Sequence, residues 1–184
     1  LNSVVLECLI QSNRTIFPNL TQIPTIVTTF FFNNKRIKEI PQYAFKTNSN
    51  LKHIELMNNL IETIHNKSFF NLINLESLIL SRNKLRKLSK FMFSEFKNMK
   101  HLDFGSNSIE IIEYGCFENL TKLNFLILEK NSLQIIEKNV FFGLNNIEIV
   151  GLNNQKLAKL SSFMFNNLFI KGNLDLSQNL ISLI

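Results

Sequence analysis

The sequence is poor in the residues that mark several other classes of protein. It contains five Gly, three Pro and no Trp in 184 residues. Because Gly and Pro are scarce, a linker-rich or collagen-like chain is excluded. No apolar run approaches the length of about 18 residues that a membrane-spanning helix needs, so any membrane attachment would have to come from a segment outside this sequence.

Two residue types are unusually frequent instead. The chain has 18 Phe and 27 Asn, and its formal net charge is +6. Hydrophobic residues make up 45% and charged residues 18%, which is the composition of a folded chain rather than a disordered one. The positive charge favours anionic partners without requiring them.

A repeat of 24 residues organises the chain from residue 27 onward. Apolar residues recur at positions 1, 4, 6, 11, 14 and 19 of each unit, and position 9 is usually Asn. The third unit shows the pattern clearly in Leu78, Asn83 and Phe93. Six full units and one partial unit cover residues 27–184. Self-similarity at a fixed period of this length predicts a solenoid.

Each position of the unit has a structural interpretation. The L-x-x-L-x-L segment alternates with a period of two, which predicts short strands that form one parallel sheet on the concave side. Position 19 is Phe in all six full units and predicts an aromatic spine on the convex side. Position 9 is Asn in five of the seven units, with Lys35 and Gln155 as exceptions. Asn amides can bind the backbone where each strand turns away, so this column predicts a hydrogen-bonded ladder.

The unit L-x-x-L-x-L-x-x-N-x-L-x-x-I, followed by Phe at position 19, resembles the typical leucine-rich repeat of animal extracellular proteins. Toll-like receptors, Slit-type guidance proteins and lamprey variable lymphocyte receptors share this repeat type. The resemblance implies an α/β repeat solenoid, a leucine-rich-repeat horseshoe with a parallel concave sheet and an irregular or 3-10 convex side. It also implies an N-terminal cap-like segment at residues 1–26 and repeats at 27–184, with the C-terminal cap missing from this segment.

The two cysteines have different expected roles. The segment that contains Cys8, Ile23 and Pro24 resembles the N-terminal cap of the family, but that cap normally carries four cysteines. Either the others precede residue 1 or the cap has degenerated. Cys116 lies about four strand spacings of roughly 4.8 Å from the cap, beyond the roughly 7 Å limit for a disulfide. We expect Cys116 to be a half-buried packing residue.

The resemblance implies recognition rather than catalysis. It favours a macromolecular recognition module that binds a protein ligand through the concave face, in an extracellular receptor or a secreted adhesion or matrix protein. Two alternatives remain: the binding region of a larger enzyme-linked receptor, and a cytosolic scaffold. Because the chain starts at Leu1 and ends in mid-pattern, we expect it to be part of a longer protein.

The sequence shows no arrangement of residues typical of an enzyme. It has no phosphate loop, Cys/His cluster or paired-carboxylate pocket, so we expect no catalytic residues, no cofactor and no metal. Ser77, His101 and Asp103 share one face of adjacent predicted strands, but an open sheet offers no evident oxyanion donors. Scattered surface polar residues explain these three better than a catalytic triad does.

An apolar cluster marks a candidate binding site on the concave face. Positions 3, 5 and 7 of each unit point outward there and should be polar unless a partner covers them. Phe125, Ile127 and Ile149 break this rule on two adjacent strands. An apolar cluster with a charged rim has the composition of a protein-contact hot spot. The predicted ligand-binding residues are Phe125, Ile127, Ile149, Ile79, Asp103 and Glu129.

The third repeat carries a run of cations, Arg82, Lys84, Arg86 and Lys87. A solvated face is the simpler interpretation, and the alternative is contact with an anionic partner such as a glycosaminoglycan or an acidic protein. Nucleic acid is not expected, because these cations are not interleaved with exposed aromatic residues on which bases could stack.

Four N-x-S/T motifs, the acceptor sequence for N-glycosylation, lie at Asn13, Asn19, Asn66 and Asn119. With 27 Asn in the chain, chance alone predicts about three such motifs, so their number does not argue for secretion. Asn66 and Asn119 lie outside the predicted strands, where glycans would be compatible with the fold.

Overall fold

The structure is a computed structural model that describes residues 4–7, 17–18, 24, 26–160, 164–166 and 168–182. Cys8 and the sequons at Asn13 and Asn19 lie outside the described residues. So does most of segment 1–26, whose role as an N-terminal cap stays a prediction.

The described part of the chain contains twelve short strands and one 3-10 helix, Lys90–Phe93. The strands are β1 (Val4–Glu7), β2 (Val27–Phe31), β3 (Glu39–Ile40), β4 (His53–Glu55), β5 (Thr63–Ile64), β6 (Ser77–Ile79), β7 (Lys87–Leu88), β8 (His101–Asp103), β9 (Ile111–Ile112), β10 (Phe125–Ile127), β11 (Ile149–Gly151) and β12 (Asn173–Asp175).

One parallel sheet forms the concave side. Its strand order is β1-β2-β4-β6-β8-β10-β11-β12, so each repeat from residue 27 onward adds one strand beside the last. The register advances by the repeat length: Ser77 lies opposite His101, and His101 lies opposite Phe125. The predicted solenoid with a parallel concave sheet is therefore confirmed.

The opposite side is irregular, as predicted. Positions 13 and 14 form two short parallel pairs, β3 with β5 and β7 with β9. Turns follow, and in the third repeat the turn tightens into the 3-10 helix. These elements lie on the other side of the core from the concave strands, and no described strand or helix packs on the outward face of the sheet.

The sharp turn after each concave strand has the same backbone conformation in all seven repeats. Position 8 has a positive φ, between 53° and 61°, although only three of its seven residues are Asn. A non-glycine residue pays roughly 1–2 kcal/mol for this left-handed conformation. Hydrogen bonds between repeats offset that cost, because the position 8 N–H donates to the next repeat, as Arg82 does to the Gly105 carbonyl at 2.8 Å.

The aromatic spine is present, with one departure from the prediction. Phe117 and Phe141 are fully buried and stack with ring centroids 6.4 Å apart, and Phe93 stacks on Phe117 at 6.0 Å. Between the second and third repeats the stack passes through Phe96, which lies 5.5 Å from Phe69 and 5.8 Å from Phe93. Phe96 therefore replaces the direct contact between the two position 19 rings.

The predicted Asn ladder is also present, and it joins neighbouring repeats. Asn83 Nδ2 donates to the Leu56 carbonyl of the preceding repeat at 2.9 Å and to the Leu80 carbonyl of its own repeat at 3.0 Å. Asn83 Oδ1 accepts the N–H of Ile61 at 3.0 Å. Gln155, which breaks the Asn pattern, makes the same kind of contact, since its Oε1 accepts the N–H of Leu133 at 3.1 Å.

Candidate functional site

The concave sheet brings the three apolar residues of repeats five and six together. Phe125 lies opposite Ile149 on the next strand, and Ile127 lies two residues along the same strand as Phe125. All three side chains are half-buried. Ile127 lies opposite Gly151, which has no side chain and so leaves a shallow notch beside the Ile127 methyl groups. We call Phe125, Ile127 and Ile149 the concave apolar cluster.

Polar residues lie on the N-terminal side of this cluster. His101 packs edge-on against Phe125, with ring centroids 5.8 Å apart. Asp103 lies opposite Ile127, and its Oδ1 accepts the N–H of Gly105 at 2.8 Å. Asp103 thus closes its own turn and remains half-buried. Glu129 is half-buried, and its Cγ lies close to Gly105.

Ile79 does not join the concave apolar cluster. It is half-buried, and Asp103 lies opposite it on the next strand. Since Asp103 also lies opposite Ile127, two strand spacings of roughly 4.8 Å separate Ile79 from Ile127. The sheet places a charged residue between them, so Ile79 is a separate apolar position.

The cationic run of the third repeat contains one residue that is paired with a carboxylate and three that are not. Lys87 forms an ion pair with Glu113, whose other carboxylate oxygen accepts the N–H of Lys90 at 2.8 Å. These hydrogen bonds, from Lys87 first and then Lys90, hold the pKa of Glu113 below its usual value despite some desolvation. Arg82, Lys84 and Arg86 are exposed, and no carboxylate of the described residues pairs with them.

Lysines elsewhere in these repeats also have acidic partners. Lys100 Nζ lies 2.8 Å from Glu76, and Lys52 lies 4.0 Å from the same carboxylate. The hydrogen bond from Lys100 lowers the pKa of Glu76. Lys90 lies 3.4 Å from Glu118. Glu76, Glu113 and Glu118 are therefore paired with cations outside the group of Arg82, Lys84 and Arg86.

Cys116 is more buried than its sequence position suggests. Only 2% of the residue is exposed, and its thiol donates to the Ser89 carbonyl at 3.6 Å. Burial, and then the nearby charge of Glu113, raise the pKa of the thiol. A neutral, buried thiol is a poor nucleophile and a poor metal ligand, so Cys116 is a packing residue.

Two side chains that the sequence analysis missed form an apolar groove on the flank of repeats four and five. Ile111 and Ile135, both at position 13, are 55% and 67% exposed. They line a groove of about 320 Å³. Repeats three and four are joined here by backbone bonds, since the N–H of Glu110 donates to the Arg86 carbonyl and that of Glu113 to the Leu88 carbonyl. The N–H groups of Gln134 and Glu137, in repeat five, make no equivalent bond to repeat four. The only sequence signal is the change from Lys87 to Ile at position 13.

A second column of Asn residues also escaped the sequence analysis. At position 24, the amides of Asn74 and Asn98 donate to the Ser49 and Ile73 carbonyls of the preceding repeat, both at 3.0 Å. Asn146 donates to the Thr121 carbonyl at 2.8 Å. This column extends the contacts between repeats to the start of each concave strand. Its signal in the sequence was the recurrence of Asn50, Asn74, Asn98 and Asn146 at position 24.

Within the described ranges, no group of three or more His, Cys, Asp or Glu side chains is arranged to hold a metal ion. Nor do these ranges contain a helix that is long and apolar enough to cross a membrane. Of the predicted sequons, Asn66 and Asn119 are both exposed. The hydroxyl of Ser68, in the first of these two motifs, is buried and donates to the Ile40 and His65 carbonyls.

Two family models match the chain over most of its length. Residues 28–85 and 73–133 match the model described as leucine rich repeat, and residues 110–183 match the one described as BspA type leucine rich repeat region. The chain belongs to the leucine-rich-repeat family. No curated protein matches it as a relative. Since leucine-rich repeats are in general binding modules, membership supports ligand recognition.

Two solved leucine-rich-repeat structures share the fold. The Toll–Spatzle complex of Drosophila, in its glycosylated form, aligns with a TM-score of 0.73 at 21% identity, over 83% of this chain and 22% of that one. The TLR13–ssRNA13 complex aligns with a TM-score of 0.63 at 23% identity, over 83% of this chain and 29% of that one. This leucine-rich-repeat chain therefore spans less than a third of either neighbour.

The two neighbours bear differently on the expected partners. The Toll structure is a complex with the protein Spatzle, and the TLR13 structure is a complex with ssRNA13. The second is in tension with our expectation that nucleic acid is not a partner, because a structure that shares this fold is a complex with ssRNA13. That expectation therefore rests only on the residues of this chain.

Proposed function

We propose that this leucine-rich-repeat segment recognises a protein ligand through its concave face, and that Phe125, Ile127 and Ile149 lie at the centre of the contact. The observation that supports the proposal is the position of this concave apolar cluster on a face of the sheet that no described strand or helix covers. An aromatic residue beside two aliphatic ones has the composition of a binding hot spot. Burying these side chains against a ligand would remove a large apolar area from water.

The rim of the cluster would provide specificity. Asp103 and Glu129 place carboxylates along one side, and His101 supports the Phe125 ring from the same side. A ligand that buries the cluster would need a complementary cation or hydrogen-bond donor opposite these carboxylates, because burying an unpaired charge is costly. Ile79, across Asp103 from the cluster, would be a peripheral contact.

The concave cluster can be tested once a binding partner of the full chain has been obtained. Phe125→Ala should weaken binding by about 2 kcal/mol or more, because truncation removes a central apolar contact. Phe142→Ala is the matched control: it removes an exposed aromatic residue of the same repeat, on the convex side. Isothermal titration of both variants measures the difference.

The result that would overturn the proposal is equally specific. If affinity is insensitive to Phe125→Ala and Ile149→Ala but falls when the charges of Arg82 and Lys84 are reversed, the ligand does not use the concave cluster. Thermal unfolding of each variant serves as the control for folding, and we expect small changes because these side chains are only half-buried.

We further propose that the chain acts outside the cell, as part of a receptor ectodomain or a secreted adhesion or matrix protein, without enzyme activity of its own. The resemblance to extracellular repeats supports this location, and the exposure of Asn66 and Asn119 is compatible with it. Positions 16 and 21 lie away from the concave strands, so glycans there would leave the proposed binding face open.

Glycosylation gives this location a test. When the chain is secreted from an animal cell line, Asn66 and Asn119 should carry N-glycans, and treatment with an endoglycosidase should lower the intact mass. Variants Asn66→Gln and Asn119→Gln should each remove part of that mass change. A chain that is retained inside the cell, or secreted without any glycan at these two residues, would count against the extracellular assignment.

A further inference from the structure

The edge of the concave face carries cations, neutral polar groups and two leucines, Leu60 and Leu180, but no acidic residue. Positions 8 and 10 of each repeat lie on this edge, on either side of the Asn ladder at position 9. None of the fourteen residues at these positions is Asp or Glu. Five are cations, all exposed: Arg36, Arg82, Lys84, Lys130 and Lys156.

These five cations also lack acidic partners. The carboxylates that form ion pairs in the described chain bind Lys52, His65, Lys87, Lys90 and Lys100, none of which is at position 8 or 10. We call the exposed side chains of positions 8 and 10 the cationic edge. Lys87, Lys90 and Lys100 nearby are paired with carboxylates, whereas none of the five cations of the edge is.

The backbone beneath the cationic edge is regular from Leu60 to Leu180, whereas Arg36, the first cation of the edge, has a positive φ of 58°. The N–H of position 10 donates to the position 11 carbonyl of the preceding repeat, as Lys84 does to Ile61 at 2.9 Å and Lys156 does to Leu133 at 2.9 Å. The edge is therefore a fixed, nearly linear row with steps of roughly 4.8 Å, and it extends about 24 Å from Arg36 to Lys156. A ligand that contacts most of it must be a linear chain with repeated negative charge.

Neutral donors lie between the cations. Ser108 and Ser132 stand at position 10 between Lys84 and Lys156, and Asn58 and Asn154 occupy position 8. Hydroxyl and amide groups can donate hydrogen bonds to sulfate, carboxylate and sugar oxygens. Lys84 and Ser108 also line a groove with Glu62 and Arg86.

We infer that the cationic edge binds a sulfated glycosaminoglycan chain laid along the solenoid. A single-stranded nucleic acid is also a linear polyanion, but positions 8 and 10 contain no aromatic residue on which a base could stack. The acidic residues next to the edge, Glu62 and Glu110 at position 12 and Glu129 at position 7, limit the footprint to positions 8 and 10. Of the cationic run in the third repeat, Arg82 and Lys84 thus belong to the cationic edge. Lys87 is paired with Glu113, and Arg86 lies at position 12 between Glu62 and Glu110 of the neighbouring repeats.

The test uses substitutions that the chain itself supplies. Arg82→Gln copies Gln178, which has the same left-handed backbone at position 8, and Lys84→Ser copies Ser108 at position 10. The double variant should therefore fold normally. Its affinity for a size-defined heparin oligosaccharide should fall roughly tenfold to thirtyfold at physiological ionic strength. Each cation that contacts an anionic surface strengthens binding by roughly fivefold, and the variant removes two. The slope of log K against log salt should fall by about two.

A charge-matched control separates a defined site from general attraction to a basic protein. Lys46→Gln with Lys97→Gln removes the same charge from exposed residues on the convex side and should change affinity by less than about twofold. Conversely, Ser108→Lys adds a cation within the row and should raise affinity about fivefold. Phe125→Ala should leave heparin binding unchanged, so this inference and the proposed concave contact can fail independently.

Three results would overturn the inference. One is an equal loss of affinity in the edge variant and the convex control. Another is binding of unsulfated hyaluronan as tight as that of heparin. The third is tighter binding of a single-stranded RNA of equal charge, with the same dependence on Arg82 and Lys84, which would assign the edge to nucleic acid. A larger loss in the edge variant, dependence on sulfation and a gain with Ser108→Lys would support it.

Discussion

Phe93→Ala should lower the free energy of unfolding by about 3–5 kcal/mol, which is the usual cost of removing a buried phenyl ring. The ring is 1% exposed and contacts three other rings, Phe96, Phe104 and Phe117, at centroid distances of 5.6–6.0 Å. Removing it opens a cavity at the point where the aromatic spine passes from the second repeat to the third and fourth. Because each repeat is stable only through its neighbours, a gap there weakens both halves.

Phe91 provides the control for this variant. It lies two residues away in the same 3-10 helix, but 69% of it is exposed. Phe91→Ala should change stability by less than about 0.5 kcal/mol. Denaturant unfolding followed by circular dichroism measures both. Equal midpoints for the two variants would mean that position 19 does not lie in the core.

Replacing two members of the Asn ladder should also destabilise the fold strongly. Asn83→Ala deprives the Ile61 N–H of its acceptor and two carbonyls of a donor, and Asn131→Ala does the same to the Ile109 N–H. Each substitution should cost about 1–3 kcal/mol, since the buried N–H keeps no acceptor, although carbonyls such as Leu56 and Leu80 still accept from Asn59 and Asn107. The two sites share no hydrogen-bond partner and lie two repeats apart, so their effects should add to about 2–6 kcal/mol.

Exposed Asn residues are the control for the ladder. Asn119→Ala and Asn145→Ala remove two amides from the surface, and neither side chain takes part in the ladder. Together they should change stability by less than about 1 kcal/mol. A ladder variant as stable as this control would show that the position 9 amides are hydrated and do not join the repeats.

The regular part of the fold could be predicted because its determinants repeat. Leu78, Leu102 and Leu126 recur every 24 residues with alternating polarity around them, and this pattern identifies both the concave strands and the faces they bury. The Asn and Phe columns were predictable for the same reason. A single residue carries little information, but five or six copies at one position do.

Features that do not depend on a recurring residue type could not be predicted in this way. The left-handed turn at position 8 holds Arg82 and Lys130, neither of which favours that conformation, and the hydrogen bond that each N–H donates to the next repeat stabilises it. The insertion of Phe96 into the spine depends on local packing. The neutralisation of Lys87 by Glu113 joins residues 26 apart, and no repeated pattern announces it.

The candidate site was only partly predictable for a related reason. The apolar exceptions at Phe125, Ile127 and Ile149 stand out once the outward positions are known, and the register then places them together. The cationic edge depends on which lysines and arginines lack a carboxylate nearby. That requires the positions of Glu76, Glu113 and Glu118, which only the folded chain provides.

Residue-resolved amide hydrogen exchange tests most directly the claim that Asn-bridged 24-residue repeats hold this structure together. The amides of Ile61, Leu85, Ile109 and Leu133, which donate to Asn83, Asn107, Asn131 and Gln155 of the following repeats, should be strongly protected in the unmodified chain. In the Asn83→Ala, Asn131→Ala variant, Ile61 and Ile109 should lose protection before Leu85 does. Rapid exchange at all four amides of the unmodified chain, or equal loss at Leu85 and Ile61 in the variant, would contradict the account.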